Sequence, residues 1–211
     1  MDIRKLPIKD NKSSRAGQKI KYIVIHDTGN KGKNAGAYNH YLYFSGGNRK
    51  ASAHYFVDSK EIIQIIDDSM AAWHVGDGKG KYGVTNSNSI GIEICINPES
   101  DYKVALDKTI ELVKDLMHKY HIPVENVIRH YDASHKICPG TMSANNWQAW
   151  HDFKARLGQE PEGIKVDIKG KIHYIDGVMK NDKNYVSIRE LAEALGYRVE
   201  RDNIHKVVRI R

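Results

Sequence analysis

The stretch 129–139, "RHYDASHKICP", constrains this chain more than any other. It sets His130 and Cys138 eight positions apart, with Asp132, His135 and Lys136 between them, and Pro139 and Gly140 follow at once. Pro fixes a backbone dihedral and Gly permits a tight turn, so the stretch is expected to be a shaped loop and not a helix. An imidazole and a thiolate are good zinc ligands, but two ligands do not hold a metal. The fold must therefore deliver a third from elsewhere. The N-terminal half offers His26, at the end of the β-branched run "IKYIVIHD" over 20–27, which reads as a buried strand. Two His and one Cys would leave zinc an open position, as catalytic sites do.

Other segments supply the frame. "ASAHYFVD" (51–58) and "EIIQII" (61–66) flank a two-residue turn at Ser59–Lys60 and predict a hairpin with an inner second strand. "NSIGIEICIN" (88–97) predicts a strand with Ile90, Ile92, Ile94 and Ile96 on one side and Gly91, Glu93, Cys95 and Asn97 on the other. Glu93 is the anomaly there, because a carboxylate in an apolar strand needs a partner or a purpose. It is either a paired structural Glu or a general base whose pKa burial raises. Cys95 in the same run reads as a small buried hydrophobe.

Helices are expected at 34–45, with Asn34 as cap, and at 102–120, with Val104, Leu106, Ile110, Val113, Leu116 and Met117 as the inner face. A third is expected at 143–157, with Ser143 as cap and Trp147, Trp150, Phe153 and Leu157 on one side. The Gly-rich loop 71–83 carries Trp73 and His74, and His54 opens the hairpin; these three are candidates to line a ligand groove. No Walker or dinucleotide-binding pattern occurs in that loop.

A chain of 211 residues suits one ordinary domain and a small second one. The polar run "GQEPEG" (158–163) marks the break. The expected organisation is a domain at 1–158, a linker at 159–163 and a small α+β domain at 164–211. The net charge of +7 is spread along the sequence, and clustered basic residues of the kind nucleic-acid readers use are lacking. No stretch is apolar enough for a membrane span, and the opening "MDIRKLPIKDNKSSRAG" does not read as a secretory signal peptide. Two cysteines make a disulfide scaffold improbable.

"YIVIHDTG", "ASAHYFVD", "AAWHVGDG", "NSIGIEIC" and "RHYDASHKICPG", in this order, resemble the N-acetylmuramoyl-L-alanine amidases of the amidase type 2 family, which includes phage endolysins, bacterial autolysins and peptidoglycan recognition proteins. The resemblance covers residues 18–157. It implies a central mixed β-sheet flanked by helices, one Zn2+ held by His26, His130 and Cys138, and cleavage of the bond between muramic acid and L-alanine in bacterial peptidoglycan. It gives Glu93 the acid/base role and Lys136 the stabilisation of the transition state. Some members carry a catalytic Tyr where this chain has Ala53, which leaves the proton work to Glu93. The tail is similar to the stalk-type domain first described at the N-terminus of copper amine oxidases, and is expected to bind cell wall or to pair two chains as a homodimer. The implied life cycle is synthesis in the cytoplasm and holin-dependent access to the wall. Two competing readings are a non-catalytic peptidoglycan-binding protein and a zinc-stabilised nucleic-acid binder. The presence of Cys138 argues against the first, and the scattered charge against the second.

Overall fold

The computed structural model describes residues 2–158, 164–175, 177–181, 183–202 and 207–210. The chain divides into two compact units, 1–158 and 159–211. The expected linker, 159–163, lies outside the described residues.

In chain order the first unit holds β1 (Arg4–Lys5), β2 (Lys12–Ser14), β3 (Tyr22–Asp27), α1 (Ala37–Ser45), β4 (Tyr55–Val57), β5 (Ile62–Gln64), β6 (Met70–Ala72), β7 (Ser89–Ile94), α2 (Tyr102–Tyr120), β8 (Val127–Arg129), α3 (His130–Ser134) and α4 (Ala144–Gly158). Six strands form one sheet in the order β1-β5-β4-β7-β3-β8, while β2 and β6 pair separately. β4, β7, β3 and β8 run parallel; β5 is antiparallel to β4. The central strands are apolar on both faces, as parallel strands covered on both sides must be. The mixed sheet with flanking helices is the architecture expected.

Strand alternation splits the core. Ile23, Ile25, Tyr55, Val57, Ile62, Ile90, Ile92 and Ile94 face α2 and α4, meeting Leu112, Val113, Trp150 and Phe153. Ala53, Phe56, Ile63, Ile65 and Cys95 face α1. Each fully buried Ile or Phe contributes ~1.5–3 kcal/mol of transfer free energy. Cys95 is the small hydrophobe expected: both cysteines are free thiols, and burial raises its pKa. The 59–60 turn closes through Asp58 N–H donating to Glu61 O at 3.1 Å.

Several helix details differ from expectation. Asn34 does not cap α1. Gly36 holds the N-cap position with no side-chain bond of its own, and the cap is supplied instead by Asp58, twenty-one residues beyond Ala37, whose Oδ2 accepts from Ala37 N at 2.8 Å. The inner stripe of α2 is Ala105, Thr109, Ile110, Leu112, Val113 and Leu116, and Val104 is exposed. Asp101 caps that helix by accepting from Lys103 N and Val104 N. Ser143 does not cap α4; its hydroxyl donates to Gly140 O. The first turn of α4 is left-handed, with φ of 49°, 53° and 67° at Asn145, Asn146 and Trp147. Residues 130–134, expected as loop, form the short helix α3, which His135 ends at φ 64°.

The second unit holds the hairpins β9 (Ile164–Ile168)/β10 (Lys171–Ile175) and β11 (Gly177–Lys180)/β12 (Lys183–Val186), then α5 (Ile188–Ala194) and the pair β13 (Val199–Asp202)/β14 (Val207–Ile210). Lys169 and Gly170 both have positive φ, as a two-residue turn between twisted strands requires. Among the described residues no helix is long and apolar enough to cross a membrane.

Candidate metal centre

β3, β7 and β8 are parallel, so their C-terminal ends share one edge of the sheet, where α/β folds place their ligand sites. His26 is the penultimate residue of β3, and Glu93 on β7 is its register partner. His130 is the first residue after β8. The backbone then turns through α3 and closes on itself, with Tyr131 N donating to Cys138 O at 3.0 Å. That closure returns Cys138 to the sheet edge. The Asp27 carboxylate, accepting from Thr141 N at 2.8 Å, pins the segment that follows.

One ligand atom from each of His26, His130 and Cys138 lies within 4.8 Å of the others, the one His/Cys/Asp/Glu cluster of this kind among the described residues. All three side chains are buried. His26 Nδ1 and Cys138 Sγ are 3.8 Å apart, and the two imidazole centroids 4.6 Å. Each ring is tied on its outer side. His130 Nε2 meets Asp77 Oδ1 at 2.8 Å, and His26 Nε2 meets His74 Nδ1 at 3.0 Å. His130 Nδ1, by contrast, is buried with no hydrogen-bond partner. An orphaned lone pair beside a second imidazole and a thiol fits a metal with soft and borderline donors. Burial holds both imidazoles below their ordinary pKa, leaving them neutral. Burial, reinforced by the Glu93 carboxylate, pushes the Cys138 thiol up to about 12. A dication reverses that preference, because metal binding and thiol deprotonation are linked.

Two further groups converge on the triangle. Glu93 has its Oε2 closed off from solvent with no hydrogen-bond partner. Burial, aided by the Asp27 charge and opposed by Lys136, pushes it up to about 8. Lys136 is exposed, and its charge acts on His26, His130, Glu93 and Cys138.

The three groove candidates separate. His54 has no exposed surface: its Nδ1 accepts from Gly91 N, and Nε2 lies 3.0 Å from Arg15 and 3.1 Å from Met70 O. It is a core residue and not a ligand contact, because every polar atom it has is taken inside the fold. His74 is buried beneath His26 and is likewise spent on internal partners. Trp73 keeps part of its surface open, with its indole N–H donated to Ser13 at 3.2 Å. Asp77 was missed by sequence reasoning; its only signal was a carboxylate in a Gly-rich loop. The His130 hydrogen bond keeps it below the ordinary carboxylate range despite the opposing effect of burial.

Comparison with known proteins gives a consistent answer. The family model described as N-acetylmuramoyl-L-alanine amidase matches residues 16–141. N-acetylmuramoyl-L-alanine amidase BlyA of Bacillus subtilis (strain 168) is 36% identical over 174 residues, covering 74% of this chain and 47% of the relative. XlyA of the same strain is 36% identical over 137 residues, covering 65% and 44%. The chain thus spans about half the length of the curated relatives it matches. Among solved structures, a mutant endolysin from Bacillus subtilis superposes with TM-score 0.67 at 36% identity, covering 74% of this chain and 99% of that one. The catalytic domain of XlyA gives 0.66 at 34%, covering 75% and 100%. With the family model matching more than half of its length, the chain belongs to the N-acetylmuramoyl-L-alanine amidase family, amidase type 2.

Proposed function

We propose that residues 1–158 hydrolyse the amide bond between N-acetylmuramic acid and L-alanine in bacterial peptidoglycan, using a Zn2+ ion held by His26, His130 and Cys138. The observation that carries this reading is the buried His–His–Cys triangle with an orphaned imidazole nitrogen, set beside a carboxyl that burial has made a weak acid. Zinc bound there supplies a Lewis acid that polarises the scissile carbonyl and acidifies water. Glu93 takes the proton from the attacking water as oxygen bonds to the carbonyl carbon. It then hands that proton to the amide nitrogen as the C–N bond breaks, which frees the alanine amine. A carboxyl with a pKa near neutrality suits both halves of that transfer. The Lys136 ammonium, exposed at the rim, offsets the charge developing on the carbonyl oxygen. Trp73 contacts the substrate alongside.

Residues 164–211 serve as a wall-binding or dimerising module, and the protein reaches the wall through a holin pore. The first assignment rests on the resemblance of the tail to the stalk-type domain, and the second on the endolysin among the similar structures.

The test is digestion of purified peptidoglycan with and without a chelator, followed by mass spectrometry. Stem peptides with a free L-alanine terminus, lost on chelation and restored by zinc, are expected. Glu93→Ala should keep zinc and lose most turnover. Wall binding with no released peptide would move the protein to the recognition class.

A further inference from the structure

The metal-binding form of His26 is set three residues deep, by hydrogen bonds that run away from the metal. The series starts at Thr85 O, a carbonyl that can only accept. Ser89 Oγ lies 2.5 Å from it and donates its single proton there. His74 Nε2 is 3.2 Å from that same Ser89 oxygen, whose proton is already committed, so the proton in this contact belongs to Nε2. A neutral imidazole carries one N–H, which leaves His74 Nδ1 as a lone pair. That lone pair meets His26 Nε2 at 3.0 Å, so the proton between the two rings belongs to His26 Nε2. His26 Nδ1 is then left with its lone pair unshared, and it is the atom that faces Cys138 Sγ at 3.8 Å.

The anchor is well fixed. Thr85 and Asn88 cap each other's backbone N–H groups, which holds the carbonyl at the head of the series. Asn86 Oδ1 accepts from both His74 N and Val75 N, at 3.0 and 2.9 Å, so the main chain carrying His74 cannot slide. Ser89 has no exposed surface. A Cβ at position 91 would sit 2.6 Å from the His74 ring, so Gly91 is what lets that ring lie across β7.

We propose that His74 and Ser89 are positioning residues: the series Thr85–Ser89–His74 locks His26 in its Nε2–H tautomer and so turns Nδ1 toward the metal before any metal arrives. The inference extends the metal reading above but rests on it only for its second readout.

The first experiment needs no variant. In the 15N-labelled full chain, stripped of metal by a chelator, long-range 1H–15N spectra at neutral pH should show both His26 and His74 protonated on Nε2 alone. A proton on Nδ1 of His26 would overturn the proposal. The second experiment measures zinc affinity by competition with a chromophoric chelator. Ser89→Ala removes the acceptor that orders His74, and zinc should bind about 10–100-fold more weakly, the usual effect of losing an outer partner of a ligand. Affinity equal to wild type would count against the series. Because neither readout needs turnover, a protein that fails to cleave peptidoglycan leaves the inference standing. A wild-type protein with the expected tautomers but no zinc binding would instead overturn the metal reading.

Discussion

Glu93 is the residue whose environment makes the sharpest prediction. Its half-buried carboxyl on β7, with Oε2 closed off from solvent and without a hydrogen-bond partner, is pushed by desolvation up to about 8 in the metal-free fold against an ordinary 4.5. Unfolded chains give the proton up near the ordinary value, so between these limits the native state binds more protons than the unfolded one. Stability is then unaffected by this group below about pH 4.5 and falls as pH rises through the interval toward 8. At about 1.4 kcal/mol for each pH unit, that interval is worth about 5 kcal/mol when fully traversed. Glu93→Gln keeps the shape and removes the titration. In the presence of a chelator, the variant should match wild type within about 1 kcal/mol at pH 5, and the gap should widen in the variant's favour to a ceiling of about 5 kcal/mol at pH 9. Urea unfolding followed by tryptophan fluorescence is the right assay, because Trp73, Trp147 and Trp150 all lie in the first unit. A gap that stays constant from pH 5 to 9 would refute the argument that burial raises this carboxyl.

Asp77→Asn keeps an acceptor for His130 Nε2 but loses the charge, and zinc affinity measured by chelator competition should drop about tenfold. An unchanged affinity would mean that the 2.8 Å contact does not orient the ring. Ile92→Ala, in the middle of β7 with no exposed surface, should cost about 2–5 kcal/mol in urea unfolding at pH 7. A loss below about 1 kcal/mol would show that the helices on that face close over the gap.

The parts of the fold written in local pattern were legible. Alternation placed Glu93 opposite Ile92 and Ile94, and the run ending at His26 is β3. The 59–60 turn follows from its two flanking runs. What escaped depends on distant partners. β1 and β2 are polar two- and three-residue strands, held by β5 and β6 respectively and by no pattern of their own. The cap of α1 comes from Asp58, a residue with no sequence relation to the helix start. At the site, the three members of the His–His–Cys triangle could be named from residue type and the family motifs, and the fold brings them together. The outer partners Asp77 and His74 could not be separated from groove-lining residues, because a side chain's direction out of an irregular loop carries no periodic signal.

The segment 76–83 touches the turn 130–138 at three places. Asp77 bonds His130, Gly78 lies so close to Ala133 that a Cβ there would sit 2.2 Å from its carbonyl oxygen, and the Tyr82 ring stacks on His135 at 4.5 Å. Seating this segment and fixing the His130 ring are therefore one equilibrium. Reciprocity makes the exchange symmetric: whatever presses 76–83 down tightens the grip on the ion, and filling the triangle stiffens 76–83 by the same factor. Ion affinity and the resistance of this segment to proteolysis become two gauges of a single free energy.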